Sequence, residues 1–158
     1  LGSHGFLIPE GTKVARFSLR DSLVDVEGAD LDMYVYRCIA RSCALVGQSF
    51  NDGSNEDVIL TNPEPANDGA AGDYYLIFVH GWGIGAEDTE YTMIGWIADQ
   101  ADSYTRIRSS TRAISGRFNY TSISTRGLTP GMVYMGGVTY YNEGGEAEGT
   151  RVLELVNP

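Results

Sequence analysis

The sequence is poor in the residues on which several functions depend. It has a single lysine, Lys13, with two histidines and two cysteines among 158 residues, and 21 acidic side chains outnumber 11 basic ones, so the formal net charge is −10. A chain this acidic cannot neutralise a run of phosphates, which disfavours nucleic acid as a partner. No apolar run reaches the roughly 18 residues of a membrane span, so we expect no membrane partner either.

The scarcity of histidine also limits catalysis. A Ser-His-Asp triad requires a histidine that accepts the serine proton, and apart from His4 the sequence offers only His80. No G-x-S-x-G motif accompanies His80, so a packing or hydrogen-bonding role is favoured. Residues 81–86 satisfy G-x-G-x-x-A, but acidic residues and another apolar strand follow where a dinucleotide site requires a helix. We therefore predict no catalytic residues and a domain that is not an enzyme.

What the sequence does contain is a β pattern throughout. Short apolar runs are separated by turn signals rich in Gly, Pro, Asn and Asp. Residues 74–79 are apolar on both faces, which predicts a central strand that is packed on either side. Short strands at this spacing indicate an all-β, antiparallel jelly roll or β-sandwich. The predicted strands cover residues 12–19, 31–36, 44–47, 58–60, 74–79, 91–97, 104–110, 116–124, 132–141 and 150–156.

Charge divides the chain near residue 100. Residues 1–99 carry 16 acids and 5 bases, which gives −11, whereas residues 100–158 carry 5 acids and 6 bases, which gives +1. This asymmetry predicts two units, or two lobes that face each other. Together with the β pattern, it leads us to expect a jelly-roll domain over residues 9–100, followed by a smaller fibronectin-like β-unit over residues 101–158 that packs on it. The opening Leu-Gly-Ser-His resembles a tag remnant, so we expect residues 1–8 to lie outside the fold.

The two cysteines flank a predicted turn. Residues 39–42 separate Cys38 from Cys43, with strand-like runs on both sides, so a hairpin with a four-residue loop is expected. Cysteines at the ends of such a loop face each other at a distance that a disulfide can bridge. The alternative, a metal site, lacks further cysteine or histidine ligands. We predict a Cys38–Cys43 disulfide, which contributes about 2 kcal/mol, and hence a secreted, extracellular protein.

Five carboxylates lie within residues 21–32. They repel one another unless they are solvated or joined by a cation, and Ca²⁺ accepts six to eight oxygens in irregular loops. The spacing does not match an EF-hand loop, and a solvated acidic loop, which we favour, explains the same residues. Calcium is therefore a candidate cofactor, and its candidate ligands are Asp21, Asp25, Glu27, Asp30 and Asp32.

Five arginines lie within 21 residues of the second half of the chain. We favour pairing between this basic region and the acidic first half, because the total charge opposes the alternative, an anionic polymer ligand. The residues are Arg106, Arg108, Arg112, Arg117 and Arg126.

Six motifs occur in an order that resembles a known family. The chain is similar to the C-terminal β-domain of secreted bacterial subtilisin-like serine proteases (subtilases), and to the pre-peptidase C-terminal jelly rolls. The resemblance covers roughly residues 9–156. The motifs are D-L-D-M-Y-V-Y at 30–36, L-V-G-Q-S at 45–49, N-E-D-V-I-L-T-N-P at 55–63, G-D-Y-Y at 72–75, V-H-G-W at 79–82 and G-L-T-P-G-M-V-Y-M-G at 127–136.

The resemblance implies a non-catalytic accessory domain whose parent chain is a serine endopeptidase. It implies three alternatives: targeting of the protease to insoluble protein, packing on the catalytic domain to assist folding or secretion, or carbohydrate binding. The expected partners are therefore the catalytic domain and a protein or polysaccharide substrate. Exposed rings stack on peptide or sugar planes, so the candidate binding residues are Trp82, Trp96, Tyr140 and Tyr141.

Overall fold

The fold is all-β, as the sequence predicts. A computed structural model of the chain describes residues 2–63, 71–99, 105–110 and 116–156. Within these ranges no helix is long and apolar enough to cross a membrane. The strands are β1 (Gly2–Pro9), β2 (Val14–Ser18), β3 (Asp30–Ile39), β4 (Ser42–Ser49), β5 (Asp57–Thr61), β6 (Gly72–Gly83), β7 (Ile94–Ala98), β8 (Thr105–Ser109), β9 (Thr121–Thr125), β10 (Val133–Tyr141) and β11 (Ala147–Val156).

Two antiparallel sheets enclose the main core. One has the strand order β1-β6-β3-β4 and the other β5-β2-β7. Apart from the β3–β4 hairpin, neighbouring strands in these sheets are not consecutive in sequence, which is typical of Greek-key sandwiches. β6 is a central strand, as the apolar run at 74–79 predicts.

Alternating residues of the facing strands fill the space between the two sheets. Val35, Ile77 and Phe17 are completely buried there, together with Leu31 and Met33. Because side chains alternate across a strand, the residues between them on β3 and β6 lie on the opposite face of the four-stranded sheet.

The first strand contains the residues that we expected outside the fold. Gly2–Pro9 pairs with β6 along its whole length, and the side chain of Ile8 is buried. His4 Nε2 lies 2.9 Å from Tyr91 Oη, which ties β1 to the segment before β7. Gly2–Pro9 is therefore part of the fold, because the alternation of Phe6 and Ile8 gives this segment a buried face.

The chain forms two compact units. Residues 1–99 and 135–153 make up the first, and residues 100–134 and 154–158 the second. The division near residue 100 agrees with the change in charge. Residues 135–153, however, belong to the first unit and not to the second as expected. Asn62 is hydrogen-bonded to Thr139 and Thr150, and Gly137 leaves room for Val14, so residues 135–153 pack against the rest of the first unit.

The cysteines form the predicted disulfide. Cys38 and Cys43 are bonded, with their Cα atoms 4.0 Å apart across the β3–β4 ladder. The loop is shorter than expected, because Ile39 and Ser42 still pair and leave two residues in the turn. A disulfide is compatible with an oxidising, extracellular environment.

Candidate functional site

The outward side of the four-stranded sheet carries an unusual number of aromatic residues. Backbone register sets side chains of β3 directly opposite those of β6: Tyr34 faces Phe78, and Tyr36 faces Leu76. We call this surface the outer aromatic face. Its members are Leu7 on β1, Asp32, Tyr34 and Tyr36 on β3, Leu45 on β4, and Tyr74, Leu76, Phe78, His80 and Trp82 on β6.

Exposure differs between the middle and the ends of this face. Tyr36 and Phe78 meet edge to face with ring centroids 5.5 Å apart, and both are half-buried. Trp82, at one end of β6, is 75% exposed, whereas Tyr74 at the other end is 49% exposed. The residues on the face of β6 therefore form a row that is packed in its middle and open to solvent at both ends.

Tyr74 lies across the neighbouring strand. A Cβ atom at Gly5 of β1 would collide with Tyr74 Oη, so glycine at this position is what lets the phenol ring lie over the strand. Leu7, also on β1, is 55% exposed beside it, and Leu45 on β4 is 47% exposed. This end of the face, where Tyr74 pairs with Cys38, is apolar.

The opposite end of the face is polar. The side chain of Asp32 is mostly buried, and its Oδ2 lies 3.7 Å from Nδ1 of His80, which faces it across the ladder. Tyr34 Oη donates a hydrogen bond of 3.4 Å to the same oxygen. Desolvation, followed by the negative charge of Asp32, raises the pKa of Tyr34 above its usual value. The indole of Trp82 is 6.3 Å from the imidazole of His80, ring centre to ring centre.

The polar end has hydrogen-bonding groups, but among the described residues no nucleophile is bonded to His80. Asp32 and His80 resemble two members of a hydrolytic triad, which needs a hydroxyl group hydrogen-bonded to the histidine. In the described part of the chain no serine or threonine hydroxyl makes that bond to His80. The arrangement instead offers a carboxylate, an imidazole and an exposed indole, groups that together form hydrogen bonds and ring contacts with a ligand.

The candidate calcium ligands do not converge. Asp21 accepts hydrogen bonds from the backbone of Ser54 and the side chain of Asn55. Asp25 accepts from Thr89 and the Glu90 amide instead, and the bond from Thr89 is the main reason that the pKa of Asp25 is lowered.

The other three acids are also separate. Glu27 is exposed, Asp30 has a buried Oδ1 without a hydrogen-bond partner, and Asp32 belongs to the outer aromatic face. Among the described residues no group of three acidic, histidine or cysteine side chains is arranged to hold a metal ion. Calcium binding stays a prediction without support from this geometry.

Of the four aromatic residues singled out in the sequence, one lies on the outer aromatic face. Trp82 is there, but Trp96 is half-buried on β7, and the guanidinium of Arg16 lies 5.3 Å from the centre of its ring. Tyr140 and Tyr141 are exposed on β10, which belongs to a different sheet. The structure therefore does not bring the four together.

Comparisons with known proteins add nothing to this geometry. No family model, curated protein or solved structure matches the chain. The function therefore has to be argued from the surface itself.

Sequence reasoning missed most of the outer aromatic face. Tyr74, Phe78 and His80 alternate along β6 with buried residues, a pattern that the sequence displays but that we interpreted as burial on both faces. The pairing of Asp32 with His80 has no sequence signal, because 47 residues separate them and only the strand register brings them together.

Proposed function

We propose that this chain is a non-catalytic accessory domain of a secreted subtilisin-like serine protease, and that its outer aromatic face binds insoluble protein substrates of that protease. The observation that carries the proposal is the row of aromatic side chains on β6, which ends in the exposed Trp82. Large exposed apolar surfaces rimmed by polar groups mark interaction sites in soluble proteins. The resemblance of the sequence motifs to subtilase C-terminal domains supplies the parent enzyme.

The dimensions of the face favour a polymeric ligand. Trp82 lies eight positions after Tyr74, which corresponds to about 26 Å along a strand, and four strands span about 14 Å. A small molecule cannot contact both ends of such a surface. The area that these two lengths enclose is less than half of the roughly 800 Å² that each partner contributes to a standard interface. We therefore expect weak, reversible binding that gains strength from many repeated sites on a solid substrate.

The chemistry of the face favours protein over polysaccharide. The exposed aliphatic side chains of Leu7 and Leu45 gain more from burial against apolar side chains than against hydroxylated sugar rings. Asp32 and His80 at the polar end are suited to hydrogen bonds with backbone or side-chain groups of a polypeptide.

Co-sedimentation tests this proposal directly. The 158-residue chain is incubated with suspended keratin or elastin, and separately with cellulose or chitin, and the bound fraction is measured. Trp82→Ala combined with Tyr74→Ala should weaken binding to the protein particles by about 10-fold or more, because exposed aromatic anchors dominate such contacts. Tyr141→Ala, which removes a ring of similar exposure (55%) from β10, is the matched control and should leave binding unchanged.

Three results would contradict the proposal. Binding to polysaccharide alone would make the domain a carbohydrate-binding module. An equal loss in the Tyr141→Ala control would move the site away from the outer aromatic face. No binding to any of the particles would remove the targeting function.

A second candidate function, docking on the catalytic domain, is favoured by the apolar end of the same face. Leu7, Tyr74 and Cys38 lie at neighbouring register positions of β1, β6 and β3, and Leu45 follows Cys43 on β4. An exposed apolar surface of this kind fits an interface with another domain. In the parent protease, Leu7→Ser with Leu45→Ser should then lower yield and activity on soluble peptides together. Under the targeting function, activity on soluble peptides stays unchanged and only activity on insoluble protein falls.

A further inference from the structure

A long stretch of this acidic chain contains no acidic side chain. Asp102 and Glu143 bracket 40 residues without aspartate or glutamate, and five arginines lie among them. The second unit has 5 bases and 2 acids, which gives +3, whereas the first has 6 bases and 19 acids, which gives −13. At physiological ionic strength, exposed charges more than about 8 Å apart are largely screened from one another. A positive surface can therefore attract anions even though the whole chain is negative.

The β8–β9 ribbon sets two of these arginines side by side. Arg106 pairs with Ser124 and Arg108 with Ser122 across the antiparallel ladder. Because residues two apart lie on the same face of a strand, these four side chains share one face, with the arginine positions about 6.8 Å apart. All four residues are exposed. We call this surface the cationic ribbon face.

The other side of the ribbon has a different character. Ile107 and Ile123 are paired there, and Ile123 is half-buried. The ribbon is thus amphipathic, and the cationic side is the more exposed of the two. Among the residues that the structure describes, neither Arg106 nor Arg108 forms an ion pair, and both are exposed.

Two exposed rings flank this face in the sequence. Phe118 and Tyr120 immediately precede β9, and they are 92% and 83% exposed. Guanidinium groups bind carboxylates with two parallel hydrogen bonds, serine hydroxyls bind sugar hydroxyls, and aromatic rings stack on sugar rings. These are the three kinds of contact that an acidic sugar polymer offers.

We propose that the cationic ribbon face binds a polysaccharide that carries carboxylate groups. The site lies in the second unit, and the inference does not depend on the function proposed for the outer aromatic face. Arg106 and Arg108 each bind a carboxylate, Ser122 and Ser124 contact neighbouring hydroxyls, and Phe118 and Tyr120 contribute ring contacts. Arg112 lies outside the described residues and has no part in the argument.

The charge of the site matches such a polymer better than nucleic acid. Duplex DNA carries one negative charge per 1.7 Å, and tight binding neutralises many phosphates at once. Two arginines about 6.8 Å apart instead suit a polymer whose charges are separated by whole sugar units. An acidic polypeptide has a similar charge spacing, so it is included in the test as a competing ligand.

Binding of the 158-residue chain to immobilised polygalacturonate tests the proposal. We expect binding at low ionic strength that weakens as salt is added, and no binding to uncharged dextran. Arg106→Gln with Arg108→Gln should weaken binding by about 10-fold, the effect of losing two exposed ion pairs. Arg41→Gln with Arg151→Gln is the matched control, because it removes two exposed arginines of the first unit and changes the net charge equally. This control should retain binding within about 2-fold.

A second variant separates the contribution of the aromatic rings from that of the charges, and other anionic polymers test the specificity of binding. Phe118→Ala with Tyr120→Ala should weaken binding to polygalacturonate, since it removes the ring contacts and leaves the charge unchanged. The proposal is overturned if the chain does not bind polygalacturonate, if the control loses as much as the ribbon variant, or if polyglutamate or single-stranded DNA binds as tightly as polygalacturonate.

Discussion

The two units of this chain are built on different principles. All 14 buried hydrophobic residues of the described chain lie in the first unit. In the second unit none of the described residues is buried, and its described strands include a two-stranded ribbon, β8–β9. The first unit also has a formal charge of −13, and the second +3. A core of buried hydrophobic residues stabilises the first unit, whereas the described residues of the second unit are all exposed or half-buried.

This difference changes what a substitution can do in each unit. In the first unit, side chains on the inner faces of two sheets hold the fold, so changes there act on stability. An isolated two-stranded hairpin is marginally stable in water, so changes on β8 or β9 should act on ligand binding and hardly on global stability.

The largest effect is expected in the core of the first unit. Phe17 is completely buried on β2 and packs against Phe6, with ring centroids 5.2 Å apart. Phe17→Ala should lower the free energy of unfolding by about 3–5 kcal/mol, because it leaves a cavity between two sheets. Ile107→Ala, on the ribbon of the second unit, should cost less than about 1 kcal/mol because its side chain is 47% exposed. Urea unfolding measures the free energy of unfolding of both variants. Similar losses in the two variants would contradict the contrast between the two units.

The disulfide gives the next largest effect, again confined to the first unit. Cys38→Ala with Cys43→Ala should destabilise the protein by about 2 kcal/mol, since the bond closes a short loop in the unfolded chain. Reduction of the unmodified protein should give the same shift in the urea midpoint. Binding to polygalacturonate at low salt should survive in the variant. Loss of that binding would mean that the disulfide hairpin and the cationic ribbon face are coupled.

Some elements of the fold could be predicted from the sequence and others could not. Apolar alternation predicted β3, and the continuous apolar run at 74–79 predicted the central β6. Short apolar runs between turn signals predicted the all-β class, and the cysteine spacing predicted the disulfide. These features depend on local pattern. The rest depends on long-range pairing: the register that sets Asp32 opposite His80, and the return of residues 135–153 to the first unit.

The outer aromatic face illustrates the same limit at the level of the site. The run at 74–79 is apolar at every position, and sequence alone cannot tell whether the second face of such a strand is covered by another layer or exposed. We predicted that it is covered. The structure leaves Tyr74 half exposed and Trp82 largely so, which converts an expected core strand into a candidate binding surface.

Acid should destabilise the first unit through Asp57. Burial raises the pKa of its carboxyl, but hydrogen bonds from Arg16, Ser18 and Arg20 outweigh this and lower the pKa below the ordinary value. The stabilisation is therefore present above about pH 4 and is lost as the pH falls through the lowered pKa of the folded state. Since the Asp57 side chain is 38% exposed, the contribution is at most about 1 kcal/mol.

The matched variant is Asp57→Asn. It should be less stable than the unmodified protein at neutral pH but should lose less stability between pH 5 and pH 3. Urea midpoints across this range measure the difference. If the urea midpoints of the two proteins fall equally between pH 5 and pH 3, the role of Asp57 is contradicted.

The smallest predicted effects concern turns, one in each unit. Ala40 in the β3–β4 turn has a φ of 55°, a left-handed conformation that disfavours a residue with a Cβ. Ala40→Gly should stabilise the first unit by about 0.5 kcal/mol, because the relief of strain exceeds the added entropy of the unfolded chain. Gly127 has a φ of 68° in the second unit, so Gly127→Ala introduces the strain that Ala40→Gly removes. If the first unit alone sets global stability, Ala40→Gly raises the urea midpoint and Gly127→Ala leaves it unchanged, whereas a drop with Gly127→Ala would mean that the two units unfold together.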